Sequence, residues 1–243
     1  MVIPKRQLRR KKSDTSEANI PTIIISDAYQ LGPSASKEVI EFVQVFQPLA
    51  EKDDTGKELR EKFFNFADQN RTGYVSLAET EIFIKHALTK AMQKDKAKDM
   101  FLRFRKSYIK AFTKAKSLHD TDESKKRGSL GGEYVTFAEF RLFNAYLCIY
   151  GVLWDAFSRI NPESDRIDFS EFIGSYHDVR DYGFVALSSI SSSDQAAVIY
   201  DEFDVDDSKQ ISYQEWCSYI LDAEAEEGTE LGKLMGDMSL SGK

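Results

Sequence analysis

Cysteines and long apolar runs are scarce in this sequence, and each shortage excludes a class of protein. Of 243 residues, two are cysteines, Cys148 and Cys217, and both lie in apolar stretches. Two cysteines form neither a disulfide framework nor a cysteine-rich zinc site. The longest strongly apolar run, Ala145 to Trp154, is too short to span a bilayer. No apolar stretch of signal-peptide length follows the basic start, so we expect a soluble, cytoplasmic protein.

Residues and motifs typical of enzymes are scarce as well. The three histidines are scattered along the chain, at His86, His119 and His177. The sequence has no glycine-rich phosphate loop, no Gly-x-Ser-x-Gly nucleophile motif and no Cys-x-x-Cys pair. We therefore expect a protein without enzymatic activity and without catalytic residues.

Charge is distributed unevenly along the chain. The formal net charge is −7, yet the first twelve residues contain no acid and six basic side chains, Lys5, Arg6, Arg9, Arg10, Lys11 and Lys12. The body therefore carries −13 once the +6 of this basic arm is removed. An acidic body disfavours nucleic acid as the partner, whereas the basic arm is predicted to bind an acidic partner surface.

Apolar periodicity predicts an all-α body after an extended arm. Apolar residues recur at helical spacing from Ser36 to about Pro48, and then in seven further segments: 55–67, 77–92, 95–116, 137–159, 169–181, 194–203 and 213–226. Residues 85–116 contain eleven Lys or Arg. We interpret this stretch as an amphipathic helix with solvated lysines, and a lipid or polyanion surface is the alternative.

A short sequence template recurs four times between the predicted helices. It consists of a β-branched residue, then Ser, Thr or Asp, two further residues, a glutamate and usually an aromatic residue. The copies begin at Val75, Val135, Ile167 and Ile211, and their glutamates are Glu79, Glu139, Glu171 and Glu215. Four copies flanked by amphipathic helices predict four helix–loop–helix units. Because a lone unit cannot bury its apolar face, we expect two pairs joined by short β contacts, Val75 with Val135 and Ile167 with Ile211.

The loop before the first copy has the residues that calcium needs. A calcium ion takes six to eight oxygens, and a twelve-residue loop supplies them from positions 1, 3, 5, 9 and 12 and from the backbone carbonyl of position 7. Position 6 needs a positive φ, and Gly73 occupies it. The predicted ligands are Asp68, Asn70, Thr72, the Tyr74 carbonyl, Ser76 and Glu79.

The loop before the last copy matches the same pattern with one departure. Its predicted ligands are Asp204, Asp206, Ser208, the Gln210 carbonyl, Ser212 and Glu215. Lys209 stands at position 6, where a left-handed conformation costs a non-glycine residue about 1–2 kcal/mol. The additional ligand carboxylate of this loop offsets that cost, so we predict comparable sites.

The two inner loops lack the ligands. In the second loop the ligand positions fall on Gly128, Leu130 and Gly132, which offer no side-chain oxygen. In the third, counting back from Glu171 places Ile160 and Pro162 at positions 1 and 3. We predict two bound Ca²⁺ ions and none at the inner loops. Nonstandard binding through Glu163, Asp165 and Asp168 is the minor alternative.

Four units with active outer and degenerate inner loops resemble the calflagins, the flagellar calcium-binding EF-hand proteins of flagellate protists. The likeness covers roughly residues 55–223 and is closest over Glu133–Tyr150, where a long polar insert precedes the second template. The resemblance implies a calcium-binding protein of the cilium or flagellum without enzyme activity. The chain departs from that family at the membrane anchor, since Val2 replaces the glycine needed for acylation and no cysteine lies near the start.

These observations predict four segments and leave two functions open. The segments are a basic extended arm, residues 1–35; an N-terminal helix with the first EF-hand pair, 36–150; the second pair, 151–225; and a flexible tail, 226–243. We expect a structural or calcium-responsive component docked on an axonemal assembly, with tubulin or another axonemal protein as the partner. The alternative is a soluble calcium sensor or buffer that exposes an apolar groove to a target protein or associates with the flagellar membrane.

Overall fold

The computed structural model describes residues 34–116 and 134–240. Within these ranges, strands are confined to two small sheets and the rest of the regular structure is helical, which confirms the predicted mostly helical class. No helix of this described part is both long and apolar enough to cross a bilayer. The elements are α1 Lys37–Ala50, α2 Asp54–Ala67, β1 Tyr74–Ser76, α3 Leu77–Ala91, α4 Lys94–Arg103, α5 Arg105–Lys116, β2 Tyr134–Thr136, α6 Phe137–Ile160, β3 Arg166–Asp168, α7 Phe169–Arg180, α8 Val185–Ser188, α9 Ser193–Phe203, β4 Gln210–Ser212, α10 Tyr213–Glu226 and α11 Glu230–Leu240.

Each copy of the template forms a strand that leads directly into a helix. The Ser, Thr or Asp caps the helix, and the glutamate three residues later accepts a hydrogen bond from the backbone N–H of the capping residue. This reciprocal arrangement occurs at Ser76 and Glu79, Thr136 and Glu139, Asp168 and Glu171, and Ser212 and Glu215. The template is therefore a helix-start signal as well as the end of a candidate metal loop.

The short strands pair in the register expected from the sequence. β1 and β2 are antiparallel with Val75 opposite Val135, and β3 and β4 are antiparallel with Ile167 opposite Ile211. All four of these side chains are fully buried. Each pairing brings the starts of two template helices side by side.

Helix α6 forms the centre of the core and continues through the boundary predicted at residue 150. Most of its 24 residues are buried, and it packs against α1, α5 and α10. A β-carbon at Gly151 would lie 2.8 Å from the ring of Phe42, so glycine is needed there for close helix packing. The ring of Phe42 also stacks on that of Phe104, with 4.3 Å between the centroids.

A buried carboxylate ties several elements to this core. Asp155 of α6 is fully buried and accepts hydrogen bonds from the backbone N–H and the hydroxyl of Ser36, at 3.1 and 2.6 Å. It also accepts from the Tyr182 hydroxyl at 2.6 Å and from Arg103 Nη2 at 2.7 Å. Burial and the neighbouring carboxylate both raise the pKa of Tyr182 above its ordinary value. Asp155 thus links the start of α1, the end of α4 and the segment after α7.

Two helix boundaries differ from the sequence prediction. The single helix expected over 95–116 is two helices that meet at Phe104, because its ring turns into the core and the Arg103 carbonyl accepts a hydrogen bond from the Trp154 indole N–H, 2.7 Å away. Helix α1 contains Pro48 in its last turn and ends at Ala50. Proline lacks an N–H and crowds the carbonyl four residues earlier, but its fixed φ near −65° is helical, so the helix ends two residues after Pro48 and not at it.

The predicted flexible tail is wrong for residues 230–240, which form α11. Leu231 is buried, and Leu234 and Met235 pack against the core at helical spacing. Gly232 and Gly236 concealed this helix in the sequence, because glycine has low helix propensity.

Candidate metal centres

The first candidate loop is folded around the carboxylate of Asp68, which follows α2 and is mostly buried. Its Oδ1 accepts a hydrogen bond from the backbone N–H of Thr72 at 2.9 Å, and its Oδ2 accepts one from Gly73 at 2.8 Å. The turn requires a positive φ at Arg71, 56°, and at Gly73, 79°. These bonds hold the position-1 carboxylate inside the loop, where it can face a cation.

The other predicted ligands of this loop are arranged along the same turn. Asn70 Oδ1 accepts from the backbone N–H of Thr72 at 3.3 Å, and the Thr72 hydroxyl donates to the Tyr74 carbonyl at 3.2 Å. At the end of the loop, Glu79 Oε2 accepts from the N–H and the hydroxyl of Ser76, at 2.9 and 2.7 Å. The structure therefore places all six predicted oxygen sources within one short loop.

The loop at Asp204–Glu215 repeats this pattern bond by bond. Asp204 Oδ1 accepts from the backbone N–H of Ser208 at 2.9 Å, and its Oδ2 accepts from that of Lys209 at 2.9 Å. The Ser208 hydroxyl donates to the Gln210 carbonyl at 2.9 Å. Glu215 Oε2 accepts from the N–H and the hydroxyl of Ser212 at 2.8 and 2.7 Å. Two distant segments of sequence thus form one type of turn.

Lys209 occupies the glycine position without changing the turn. Its φ is 63°, and φ at Asp207 is 56°, close to the values in the first loop. The Lys209 ammonium forms an ion pair with Asp207, which raises the pKa of the lysine. Asp207 is not one of the predicted ligands, so the positive charge of Lys209 is paired with a neighbouring carboxylate and not with a ligand.

Three carboxylates of this last loop converge on one point. One oxygen each from Asp204, Asp206 and Glu215 lies within 4.8 Å of the others. Oxygens bound to the same calcium ion at 2.3–2.6 Å are separated by at most about 5 Å, so this set fits the ion. A hydrogen bond with Ser208 is the main cause that lowers the pKa of Asp206, which favours its charged form. The donors are hard oxygens throughout, as calcium prefers.

The third loop is closed by a hydrogen bond from a side-chain amide, that of Asn161. Asn161 Nδ2 donates to Glu171 Oε1 at 2.6 Å, and Asn161 Oδ1 accepts from the backbone N–H of Glu163 at 3.1 Å. Glu171 Oε2 accepts from the N–H of Asp168 at 2.8 Å. Asp165, one of the alternative ligands, forms an ion pair with Lys106 at 2.6 Å. The neutral Asn161 amide therefore bonds to Glu171, the glutamate that a calcium ion would need as a ligand.

Comparison with known families agrees with the first of these loops. Residues 45–147 match the model of the FCaBP EF-hand domain, of the flagellar calcium-binding protein family. This confirms the predicted family resemblance for that segment, and an EF-hand domain of this kind binds Ca²⁺. No curated protein gives a significant match to the chain.

The matched segment includes the complete loop Asp68–Glu79 and the first strand pair. It ends before the loop Asp204–Glu215, so the assignment of that loop rests on its geometry. The role of Asn161 was missed by sequence reasoning. Its signal was a loop one residue shorter than the standard, with an amide in place of the first aspartate.

Some predicted residues lie outside the described ranges. These are the basic arm, Lys5 to Lys12, and the ligand positions Gly128, Leu130 and Gly132 of the second loop, so their predictions stand as made. Of the second template, Glu139 is buried and accepts from the N–H of Thr136 at 2.6 Å.

The basic stretch at residues 85–116 has the arrangement of an amphipathic helix pair. The rings of Phe104, Tyr108 and Phe112 are buried, whereas Lys96 and Lys106 are exposed and pair with Glu41 and Asp165. This favours solvated lysines over a dedicated polyanion surface.

Proposed function

We propose that this protein is a flagellar calcium-binding component that takes up two Ca²⁺ ions, at Asp68–Glu79 and Asp204–Glu215. In this proposal the four helix–loop–helix units are EF-hands in two pairs, with one active loop in each pair. The observation that carries it is the shared turn, in which the first aspartate accepts hydrogen bonds from the backbone N–H groups of positions 5 and 6 in both loops.

The two active loops differ in composition, which supports a common function for the turn. One has glycine at position 6 and the other has Lys209, yet both adopt a positive φ there. Because that conformation is unfavourable for lysine, a turn with no function has little reason to retain it. The third loop, with Asn161 bonded to Glu171, has a closed arrangement that needs no ion.

The role proposed for the ions is a structural or calcium-responsive one on an axonemal assembly. The flagellar family of residues 45–147 supports the location. The six basic residues of the arm supply a charge that complements an acidic polymer surface such as that of tubulin. The arm therefore docks the protein, and the EF-hand pairs provide the calcium-dependent part.

A groove supports the alternative function, that of a soluble calcium sensor. A cavity of about 780 Å³ lies between α5, α10 and α11, with apolar side chains of Ile109, Tyr150, Leu221 and Met235 among its lining. Cavities of this size accommodate ligands or a short apolar segment of a target. A soluble sensor that widens this groove on binding calcium is therefore the second candidate.

Calorimetric titration of the full chain with calcium tests the sites. We expect two binding events, one of which is lost in Glu79→Gln and the other in Glu215→Gln, because each variant removes the bidentate carboxylate. Glu171→Gln is the matched control, since it changes the same template position in a loop predicted not to bind. Two tightly bound ions in the double variant would contradict the assignment, and so would loss of an ion in the control.

Co-sedimentation tests the docking. The full chain and a version that starts at Ser36 are pelleted with microtubules and, separately, with anionic vesicles. We expect arm-dependent pelleting with microtubules that weakens with salt, because exposed charges are screened beyond about 10 Å at 0.1 M. Equal pelleting of both versions would exclude the arm, and arm-dependent binding to vesicles alone would support membrane association instead.

A further inference from the structure

The outgoing helix of the last candidate loop, α10, is fixed near its start. The Tyr213 hydroxyl donates to the Tyr150 carbonyl at 2.7 Å, and the Trp216 indole N–H donates to the Leu153 carbonyl at 3.2 Å. Both acceptors belong to the central helix α6, and both side chains are buried. The first turn of α10, which also carries Glu215, is therefore anchored to the core.

The far end of α10 is held by a second, separate set of contacts. Glu224 is buried, and its two oxygens accept from two different segments. Oε1 accepts from the backbone N–H of Val185, at the start of α8, at 2.8 Å. Oε2 accepts from the Thr229 hydroxyl, just before α11, at 2.5 Å. Thr229 Oγ1 in turn accepts from the N–H of Gly232 at 3.1 Å.

Helix α11 lies unusually close to α10 at this end. A β-carbon at Gly232 would lie 2.6 Å from the carbonyl carbon of Glu224 and 2.7 Å from Cα of Ala225, which no packed side chain tolerates. Leu231 is buried beside this contact. At Gly236, one turn further along the same helix, a β-carbon would meet no atom within 4 Å. The close approach is therefore specific to Gly232.

Simple geometry connects these contacts to the calcium loop. In calcium-responsive EF-hands the angle between the two helices changes by about 40°. Glu224 lies nine residues after Glu215, about 13 Å along a helix, so such a rotation about the anchored start moves Glu224 by about 9 Å. A hydrogen bond to a group that stays in place does not survive a displacement of that size. The bond from Val185 to Glu224 must therefore break when α10 rotates against α8, whereas Thr229 follows α10 directly in the chain.

We propose that the Glu224 carboxylate, positioned by Thr229 and by the close packing of α11 at Gly232, is a strap that ties α10 to the start of α8 and so sets the calcium affinity of the last loop. This rests on the proposed function, because it requires calcium at Asp204–Glu215. Weakening the strap lowers the cost of rotating α10 and therefore tightens calcium binding there. The two processes are linked, so calcium binding at this loop also weakens the bond from Val185.

The test uses the full chain with Glu79→Gln, so that calorimetry reports only the last loop. Gly232→Ala should tighten calcium binding roughly fivefold or more, the lower end of typical coupling between sites. Gly236→Ala is the matched control, since it makes the same substitution in the same helix without a clash, and it should not tighten calcium binding. Thr229→Val, which is nearly isosteric, removes the hydrogen bond to Glu224 Oε2 and should also tighten calcium binding. It takes the place of Gly232→Ala in the test if that variant does not fold.

Hydrogen exchange provides a readout of the strap itself. The amide of Val185 should be protected in the calcium-free protein and exchange faster when calcium is added. Unchanged or weaker calcium binding in both Gly232→Ala and Thr229→Val would overturn the strap, as would stronger protection of Val185 with calcium. Failure of the parent protein to bind calcium at the last loop would instead contradict the proposed function, so the two failures are distinguishable.

Discussion

Position 6 of the two candidate calcium loops is occupied by different residues in nearly the same backbone conformation. Gly73 adopts a φ of 79° and Lys209 a φ of 63°. A β-carbon at Gly73 would meet no atom within 4 Å, so only backbone strain distinguishes glycine from alanine there. The same strain is already present at Lys209, where its energy is about 1–2 kcal/mol.

We therefore expect reciprocal effects from two substitutions at this position. Lys209→Gly should tighten calcium binding modestly at the last loop, because it removes the strain and a nearby positive charge, while greater freedom of the unbound loop opposes the gain. Gly73→Ala should weaken binding at the first loop by about 1 kcal/mol, or about fivefold. Calorimetry of each variant measures both, and unchanged affinity in either would show that its loop tolerates the conformation without strain.

At the level of helices and strands, the elements predicted best are those whose start is encoded locally. The template predicted both strand pairs and the starts of α3, α6, α7 and α10, because capping and β-branching act within a few residues. The break at Phe104 depends on a distant partner, Trp154, and the helix α11 depends on close packing against α10, which no local pattern encodes. Likewise, the shortened third loop pointed to a loop without calcium, but its sequence did not show that Asn161 bonds to Glu171 and closes it.

Helix packing around α6 gives a prediction at this same scale. Gly151→Ala should destabilise the protein by about 1–3 kcal/mol, because its β-carbon would press on the ring of Phe42, at 2.8 Å, in a filled core. Gly174→Ala, in α7, is the matched control: its β-carbon meets nothing within 4 Å, so it should stabilise by up to about 1 kcal/mol through helix propensity. Urea unfolding followed by circular dichroism separates them, and equal effects would contradict this packing argument.

The molecule as a whole is held together across its two strand pairs by charged contacts as well as by α6. Lys106 of α5 pairs with Asp165, beside β3, and this bond lowers the pKa of the Asp165 carboxyl below its ordinary value. A lowered pKa in the folded state means that the contribution to stability is complete above the unfolded pKa, near 3.9, and is lost as the pH falls through the folded value.

Lys106→Met should therefore reduce the free energy of unfolding at pH 6 by a few tenths of a kcal/mol, because both partners are largely exposed and solvent screens the pair. The difference from the parent should shrink as the pH falls through the lowered pKa of Asp165, because the protonated carboxyl no longer pairs with the lysine. Lys98→Met, at an exposed position of α4, is the control. A difference of the same size at pH 6 and pH 3, measured by urea unfolding, would show that the lysine acts through packing and not through charge.

The hydrogen bonds at Ser36 also determine how the body responds to mechanical tension. Both the backbone N–H and the hydroxyl of Ser36 are bonded to Asp155, in the second half of α6. Asp155 is fully buried, so a pulling force transmitted from the preceding residues reaches the core before it can peel α1 away turn by turn. If the arm is a tether, the body is attached to it through a core residue, and tension would be resisted by parallel bonds that break together.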